Sequence, residues 1–580
     1  MSKPELTLTR SPSHDPNFEK GKHHVVQCSL LRSIFIVVTC TAAMVVNTSN
    51  AASVSISLPT IEKDLDIDEE QLQWLVSSYS LSSGCLLLFF GRLADLYGRK
   101  KAFMIGTLCQ VAFSLGCGFA QNGLTLAVLC GFLGIGTAAT IPSALGILAH
   151  SFPPSRARSI AFATFSAGAP VGGAFGMMIG GVLTEFSSTH WSSVFYLTAG
   201  ISALTGLTGM ISFDADVPST EIVKRVDWIG ALLITVGLVL IVFVLGQGEL
   251  ASQGWKTPYI IALLIAGVIM VSLFLLWERY LEQVQDDPSR APSAWMPPPL
   301  MRPSIWTRAR GRMAVILVIA FLNWSAFMSW CFWVQLYYQN YLLLPPVKTM
   351  IRFIPMFIVG CLCNIFVAMV VARLPLVVFV VSGTLLTASA GILFALIDPS
   401  ATYWAFGFPS TVLVVFGADF VYSSGTIFIA KIALHHEQSV AGALFQTMTQ
   451  LGIAFGLTIT TIVFNTVVKK ESADPGVTVN SAGTNTPQSA QLKGYKSAQW
   501  TSASFALIAA LLAVLFLRSV GIVGDKKTIK HTDSDQTKMY YARRCLDSGI
   551  AVYPTSKQGP TGNTRRNFTP LVKSTVDRFR

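Results

Sequence analysis

Long apolar runs, recurring from residue 32 to residue 521 and broken by short polar stretches, most constrain what this chain can fold into. A helix that crosses lipid hydrocarbon needs about 20 mostly apolar residues. It must also bond all of its own backbone polar groups, because lipid offers them no partner. Runs of that kind fall at approximately 32–59, 72–90, 102–120, 124–149, 159–183, 191–212, 228–246, 258–277, 313–337, 348–372, 375–397, 402–430, 438–467 and 501–521, fourteen in all. A content of 52% hydrophobic and only 12% charged residues is unsuited to a water-solvated surface. The expected fold class is an all-α membrane protein.

Charge then orients the chain. An even number of runs puts both termini on one side. The breaks on that side hold Arg92, Arg99, Lys100 and Lys101, then Arg156 and Arg158, then Lys224 and Arg225, then Arg279, Arg290, Arg302, Arg308, Arg310 and Arg312. The other side holds Lys63, Lys256, Lys469, Lys470, Lys493 and Lys496. Basic residues collect on the cytoplasmic face, so both termini are expected in the cytoplasm. The net charge of +12 is therefore loop and tail charge, with no basic-aromatic module of the kind that binds nucleic acid.

Residues 1–29 are polar, with Pro4, Pro12, Pro16, His23 and His24, and read as a disordered cytoplasmic tail with no cleavable signal peptide before the first run. The tail from 522 carries Lys526, Lys527, Arg543, Arg544, Arg565 and Arg566 and reads as disordered or in contact with lipid headgroups. Two connections are long. The first, 279–311, contains Pro297-Pro298-Pro299 and divides the chain into two helix sets. The second, 468–500, is expected outside the cell and contains no Asn-x-Ser/Thr sequon.

The ten cysteines (Cys28, Cys40, Cys85, Cys109, Cys117, Cys130, Cys331, Cys361, Cys363 and Cys545) mostly sit inside apolar runs and read as small packing residues, with no metal role. There is no Walker loop, and Gly134-x-Gly136 lies inside a span instead of after a strand. Neither an enzyme nor a cofactor is expected.

The most informative short segment is Gly91-Arg92-Leu93-Ala94-Asp95-Leu96-Tyr97-Gly98-Arg99-Lys100-Lys101. Gly91 would let a neighbouring helix approach, Asp95 could pair with arginines and a helix N-terminus, and Arg99 and Lys100 would fix orientation. It resembles the loop between helices 2 and 3 of the major facilitator superfamily, G-x-L-a-D-x-x-G-R-k/r-x. Fourteen spans resemble the drug:proton antiporter branch of that superfamily, common in fungi. The resemblance covers residues 30–521 and implies two six-helix bundles around a central cavity, spanning 30–213 and 312–521, with two additional helices in 227–278. It implies a small-molecule substrate in a lipid bilayer, a monomer, and protons as a candidate second partner.

The fifth span carries Gly168, Gly172, Gly176 and Gly180, ending Gly176-Met177-Met178-Ile179-Gly180-Gly181, similar to the antiporter pattern G-P-x-x-G-G with Met177 at the proline. Such a ridge serves either as a sliding interface between bundles or as a plain packing face. Two departures bear on coupling. Where the branch's first helix has an acid, this chain has Asn50, and where its fourth has an arginine, this chain has Cys130. Asparagine cannot titrate, so proton coupling does not carry over at those positions.

An intramembrane carboxylate usually faces a cavity and is functional. Asp419, with Ser423 and Thr426 on the same helical face, is the leading candidate to bind a cation or a proton. The plainer reading is a carboxylate bonded to neighbouring helices. Asn47, Asn50, Ser53 and Ser57 line one face of the first span, and Gln446, Thr449 and Gln450 lie together on the thirteenth. Such stripes either contact substrate or join helices. In the ninth span, Asn323, Trp330 and Gln335 are cavity candidates, whereas Tyr337, Tyr338 and Tyr341 suit an interfacial aromatic belt.

The reading that follows is export of a small organic compound by alternating access, with the plasma membrane expected and the vacuole as alternative. Two alternatives are gradient-independent movement or uptake of a small polar solute such as ammonium or borate, and a membrane sensor without turnover.

Overall fold

The helices that these runs form are seen in a computed structural model, which describes residues 30–65, 69–153, 156–216, 225–248, 251, 253–286, 297–344, 346–371, 373–434, 437–472 and 487–518. The tails 1–29 and 522–580, segments 287–296 and 473–486, and with them Cys28, Lys224, Arg290 and Cys545, lie outside the described residues.

The described residues form α1 (Leu30–Leu65), α2 (Glu69–Cys85), α3 (Leu87–Tyr97), α4 (Arg99–Gly118), α5 (Gly123–Ser151), α6 (Arg156–Phe186), α7 (Ser192–Ser212), α8 (Trp228–Gln247) and α9 (Pro258–Asp286). They continue as α10 (Ser304–Thr307), α11 (Arg312–Leu336), α12 (Pro346–Val370), α13 (Leu376–Ala395), α14 (Tyr403–Ile432), α15 (Gln438–Glu471) and α16 (Gln488–Phe516). Among the described residues, 13 helices are long and apolar enough to cross a membrane. The remaining crossing is α2 and α3 end to end, with Phe90 N donating to Leu86 O (3.0 Å) across their joint. The chain is thus a multi-pass, all-helical membrane protein.

Burial differs from helix to helix in the way lipid requires. In α14, 83% of the most apolar stretch is buried inside the protein, against 17% in α9. Accordingly α9 turns Ile261, Ile265, Val268 and Leu276 outward, while α14 encloses Ser410, Thr411, Asp419, Ser423 and Ser424. Polar residues inside lipid are confined to packed interior faces because only there do they find partners. Packing mostly joins helices that are not consecutive in sequence. α1 lies along α6, α2 and α4 along α5, and α4 along α7; in the second half α11 lies along α15 and α16, and α13 along α14 and α16. α8 and α9 pack chiefly on each other.

Several sequence expectations change here. The connections expected at 279–311 and 468–500 are shorter, since α9 runs to Asp286, α15 runs to Glu471, and the last span begins at Gln488 and ends at Phe516. The segment Gly91–Tyr97 is not loop: α3 runs to Tyr97, and Gly98 alone separates it from α4. Leu93, Ala94 and Leu96 are good helix formers, so nothing before Gly98 stops the helix. Gly98 does, because its φ of 120° is one that side chains resist. Tyr337, Tyr338 and Tyr341 also form no interfacial belt. A π-helical turn at Tyr337–Tyr341 ends α11 and turns Tyr337 and Tyr338 inward, against Phe394 at ring distances of 5.3 and 6.1 Å.

Candidate functional site

Two regions hold the polar groups that sequence singled out. The first is the seam at the Gly98 end, where α3 meets α15. Asp95 is completely buried there, and Arg99 donates to it from Nε (3.0 Å) and Nη2 (2.9 Å). Ser439 N (3.0 Å) and Val440 N (3.1 Å), in the first turn of α15, also donate to Asp95. A carboxylate at a helix N-terminus meets both unpaired N–H groups and the positive end of the helix dipole. Gly91, one turn before Asp95, lets α15 close in: a Cβ there would stand 2.8 Å from Ala443 Cβ.

The other motif residues anchor this end. Asp216 accepts from Lys100 N (2.8 Å) and Lys101 N (3.1 Å), capping α4 directly over Gly98. Lys100 Nζ donates to Met210 O (2.9 Å) and Phe213 O (2.8 Å). Arg158 Nη2 makes a second tie between the halves, to Ala430 O (2.7 Å) at the end of α14. Arg92 is buried, not loop-exposed. Nearby, burial pushes the Asp227 carboxyl above the usual carboxylate range, opposed by hydrogen bonds from Gly230 N and Trp277 Nε1.

The glycine ridge of α6 lies elsewhere. A Cβ on Gly168 would meet Thr41 O at 2.9 Å, one on Gly176 would meet Ser49 Cα at 2.8 Å, and one on Gly180 would meet Ser53 Cβ at 2.9 Å; Gly172 is equally tight against Val45 and Thr48. Gly181 sits 3.4 Å from Ile56 by the same measure. All five face α1 within the first half, so the ridge is not a sliding surface between halves. The opposite side of α6 makes that contact, with Pro170 against Gly360 and Gly173 against Phe357 of α12.

The second region is the middle of the bundle. Asn47 Oδ1 accepts from Tyr79 OH (2.8 Å), which also meets Thr137 Oγ1 (3.0 Å), and Gln110 Nε2 donates to that hydroxyl (2.9 Å). Asn50 is buried beside this network with its Nδ2 unpartnered. Cys130 holds no polar contact of the kind an arginine would make: its sulfur lies 3.9 Å from that of Cys117 among Leu126, Leu133 and Phe195. Across the interface, Gln446 accepts from Tyr422 OH (3.1 Å), whose ring lies 5.2 Å from Trp324. Gln450 reaches the other half, its Cβ 3.2 Å from where a Cβ on Gly84 would stand.

Asp419 lies between α14 and α12, and its Oδ2 is buried without a hydrogen-bond partner. Asn364 is its neighbour, accepting from Ser423 Oγ (2.8 Å) and donating to Gly360 O (2.9 Å). Asn323 is fully buried with both amide atoms unpartnered. Trp330 belongs to packing: it is fully buried near Phe353 and Phe394, and its Nε1 donates to Ser410 (2.9 Å). Gln335 is half-buried toward the π-turn. Sequence reasoning missed Tyr79, Gln110, Thr137, Asn364 and Tyr422. Gln110 and Asn364 are amides inside apolar runs, and that signal was visible.

A membrane-embedded, two-part helical array with this seam is the architecture of a secondary transporter. Residues 38–227 and 223–457 match the family description Major Facilitator Superfamily, and the chain belongs to that superfamily. It is 27% identical to MFS-type transporter 1 of Pyricularia oryzae over 89% of this chain and 88% of that one. It is 29% identical to the low affinity ammonium transporter of Saccharomyces cerevisiae (67% and 73%) and 26% identical to efflux pump terJ of Aspergillus terreus (83% and 87%). Among solved structures, the human organic anion transporter MFSD10 aligns with a TM-score of 0.59 at 12% identity, covering 83% of this chain and 99% of that one.

Proposed function

We propose that this chain exports small organic compounds by alternating access, with the Asp95 seam as the cytoplasmic gate and the polar groups of the middle as the binding site. The observation that carries the reading is Asp95, one carboxylate of the first half bonded to the α15 N-terminus of the second. Opening that end must break these bonds. The efflux-pump relative supports the outward direction. Both termini are assigned to the cytoplasm from the positive-inside pattern, the membrane to the plasma membrane, and the working unit to a monomer. The bundles are 30–213 and 312–521, with 227–278 as the additional pair.

Within the site, Asp419 is assigned to a cationic substrate or a proton, because a buried carboxylate oxygen without a partner is costly unless something occupies it. A substrate screen in reconstituted vesicles, with and without an imposed pH gradient, tests the proposal: gradient-dependent loading of organic compounds is expected. The ammonium relative, with Asn50 and Cys130 both neutral, favours a second reading, gradient-independent movement of a small polar solute. Flux indifferent to the pH gradient would select it.

A further inference from the structure

The two additional helices, α8 and α9, pack chiefly on each other, yet a bonded circuit leads from them to the gate. Asp227 caps α8 through Gly230 N (3.0 Å) and accepts from Trp277 Nε1 of α9 (2.9 Å). Beside Trp277, Glu278 is fully buried and accepts from Leu300 N (3.1 Å) and Met301 N (3.3 Å). One turn further along α9, Glu282 accepts from Ser304 N (3.2 Å). The segment 300–311 is therefore strapped along α9, with Leu300, Met301 and Ile305 sunk into the main apolar core.

The other end of the strap reaches the second half. Arg308 Nη1 lies 2.6 Å from Glu437 Oε2 and Arg302 Nε 3.8 Å from Glu437 Oε1. Glu437 immediately precedes α15, whose second and third residues, Ser439 and Val440, donate their N–H groups to Asp95. Ala309, Arg310 and Gly311 then take φ values of 52°, 61° and 79°, a tight left-handed joint that delivers the strap into α11.

We propose that residues 300–311 form a strap, held by Glu278 of the additional pair and by Glu437 at the head of α15, that keeps the gate closed, and that anchoring it is what the additional helices do. The inference rests on Asp95 marking the gate. Glu278 and Glu437 are positioning residues: each fixes the strap, and the strap fixes where the α15 N-terminus sits. An ordinary linker needs neither a buried carboxylate for its backbone nor a paired one at the gate. Breaking one partner of a buried charged contact costs much more than the pair contributes, since the other is left uncompensated.

The test uses the full chain in lipid nanodiscs, with Cys28, Cys109, Cys331, Cys361 and Cys545 each replaced by serine, and spin labels at Ser151→Cys on α5 and Leu434→Cys before α15. The parent should give one short distance. Glu437→Gln and Glu278→Ala should each shift the closed-to-open ratio roughly ten-fold toward a longer distance. The swap Glu437→Arg with Arg308→Glu should restore the short one, which a variant that merely misfolds cannot do. Asp95→Asn in the same background reports on the gate itself. If it opens while the Glu278 and Glu437 variants stay closed, or if the swap fails to reclose, the strap is overturned and the gate stands. If Asp95→Asn also stays closed, the gate reading fails and the strap with it.

Discussion

The carboxylates of the seam and those of the middle of the bundle are buried in opposite ways. At the seam Asp95 accepts from Arg99, Ser439 and Val440, and Asp216 and Glu278 each accept two backbone N–H groups. In the middle, one oxygen of Asp419, the Nδ2 of Asn50 and both amide atoms of Asn323 are buried without partners. Satisfied polar groups hold a conformation, whereas unsatisfied ones raise its energy until something binds. One region is therefore built to stay in place until it opens, and the other to receive a ligand.

The largest effect should come from breaking the seam. Asp95→Ala leaves Arg99 and two helix N–H groups without their acceptor, and turnover in vesicles should fall roughly 100-fold while substrate affinity changes little. Loss of affinity with normal turnover would move Asp95 into the binding site. Packing comes next. At Gly176 an added Cβ meets the Ser49 backbone, Cα at 2.8 Å, whereas at Gly200 it meets nothing within 4 Å. Gly176→Ala should destabilise by about 1–3 kcal/mol, and Gly200→Ala should not. Equal melting shifts for the two would mean that α1 and α6 are not packed this closely.

In the middle, Asp419→Asn should lower export of a cationic compound about ten-fold and leave a neutral one unchanged. Normal transport at every pH tested would leave Asp419 a structural carboxylate. A sharper contrast follows from bonding state. Tyr79 OH bonds Asn47 and Thr137, so Tyr79→Phe should cost about 1 kcal/mol of stability. Asn323 bonds nothing, so Asn323→Leu should raise stability by about 1 kcal/mol while weakening substrate affinity. If both variants destabilise alike, the distinction between the two regions fails at these residues.

How far the chain could be read beforehand divides along the same line. Asp95, Gly98 and Arg99 were legible because part of their work is local: an i,i+4 pair and a positive-φ joint. Their partners were not, since Ser439 and Val440 contribute backbone N–H groups, which leave no mark in side-chain identity. The glycine ridge was visible at its four-residue spacing, but spacing says that a helix packs closely and not against which neighbour; α1 was decided by tertiary structure. Arg92 read as a surface charge because nothing local announces its burial. Trp330 read as a cavity residue because aromatic type alone cannot separate lining from core. The multi-pass helical fold was legible from run length, which the bilayer dictates.

The smallest effect concerns the edge of the seam, and its sign is fixed. Burial raises the Asp227 carboxyl above its ordinary range in the folded protein, the hydrogen bonds from Gly230 N and Trp277 Nε1 only partly offsetting it. The folded state therefore binds this proton more readily than the unfolded chain, and stability falls as pH rises from the unfolded value through the raised one. Asparagine keeps the N-cap but cannot titrate. Acidification through that window should raise the melting temperature of the parent slightly relative to Asp227→Asn, and the two curves should run parallel above it. Curves that stay parallel throughout would show that the carboxyl is no harder to ionise in the fold than out of it, and the edge of the seam would then resemble solvent more than core.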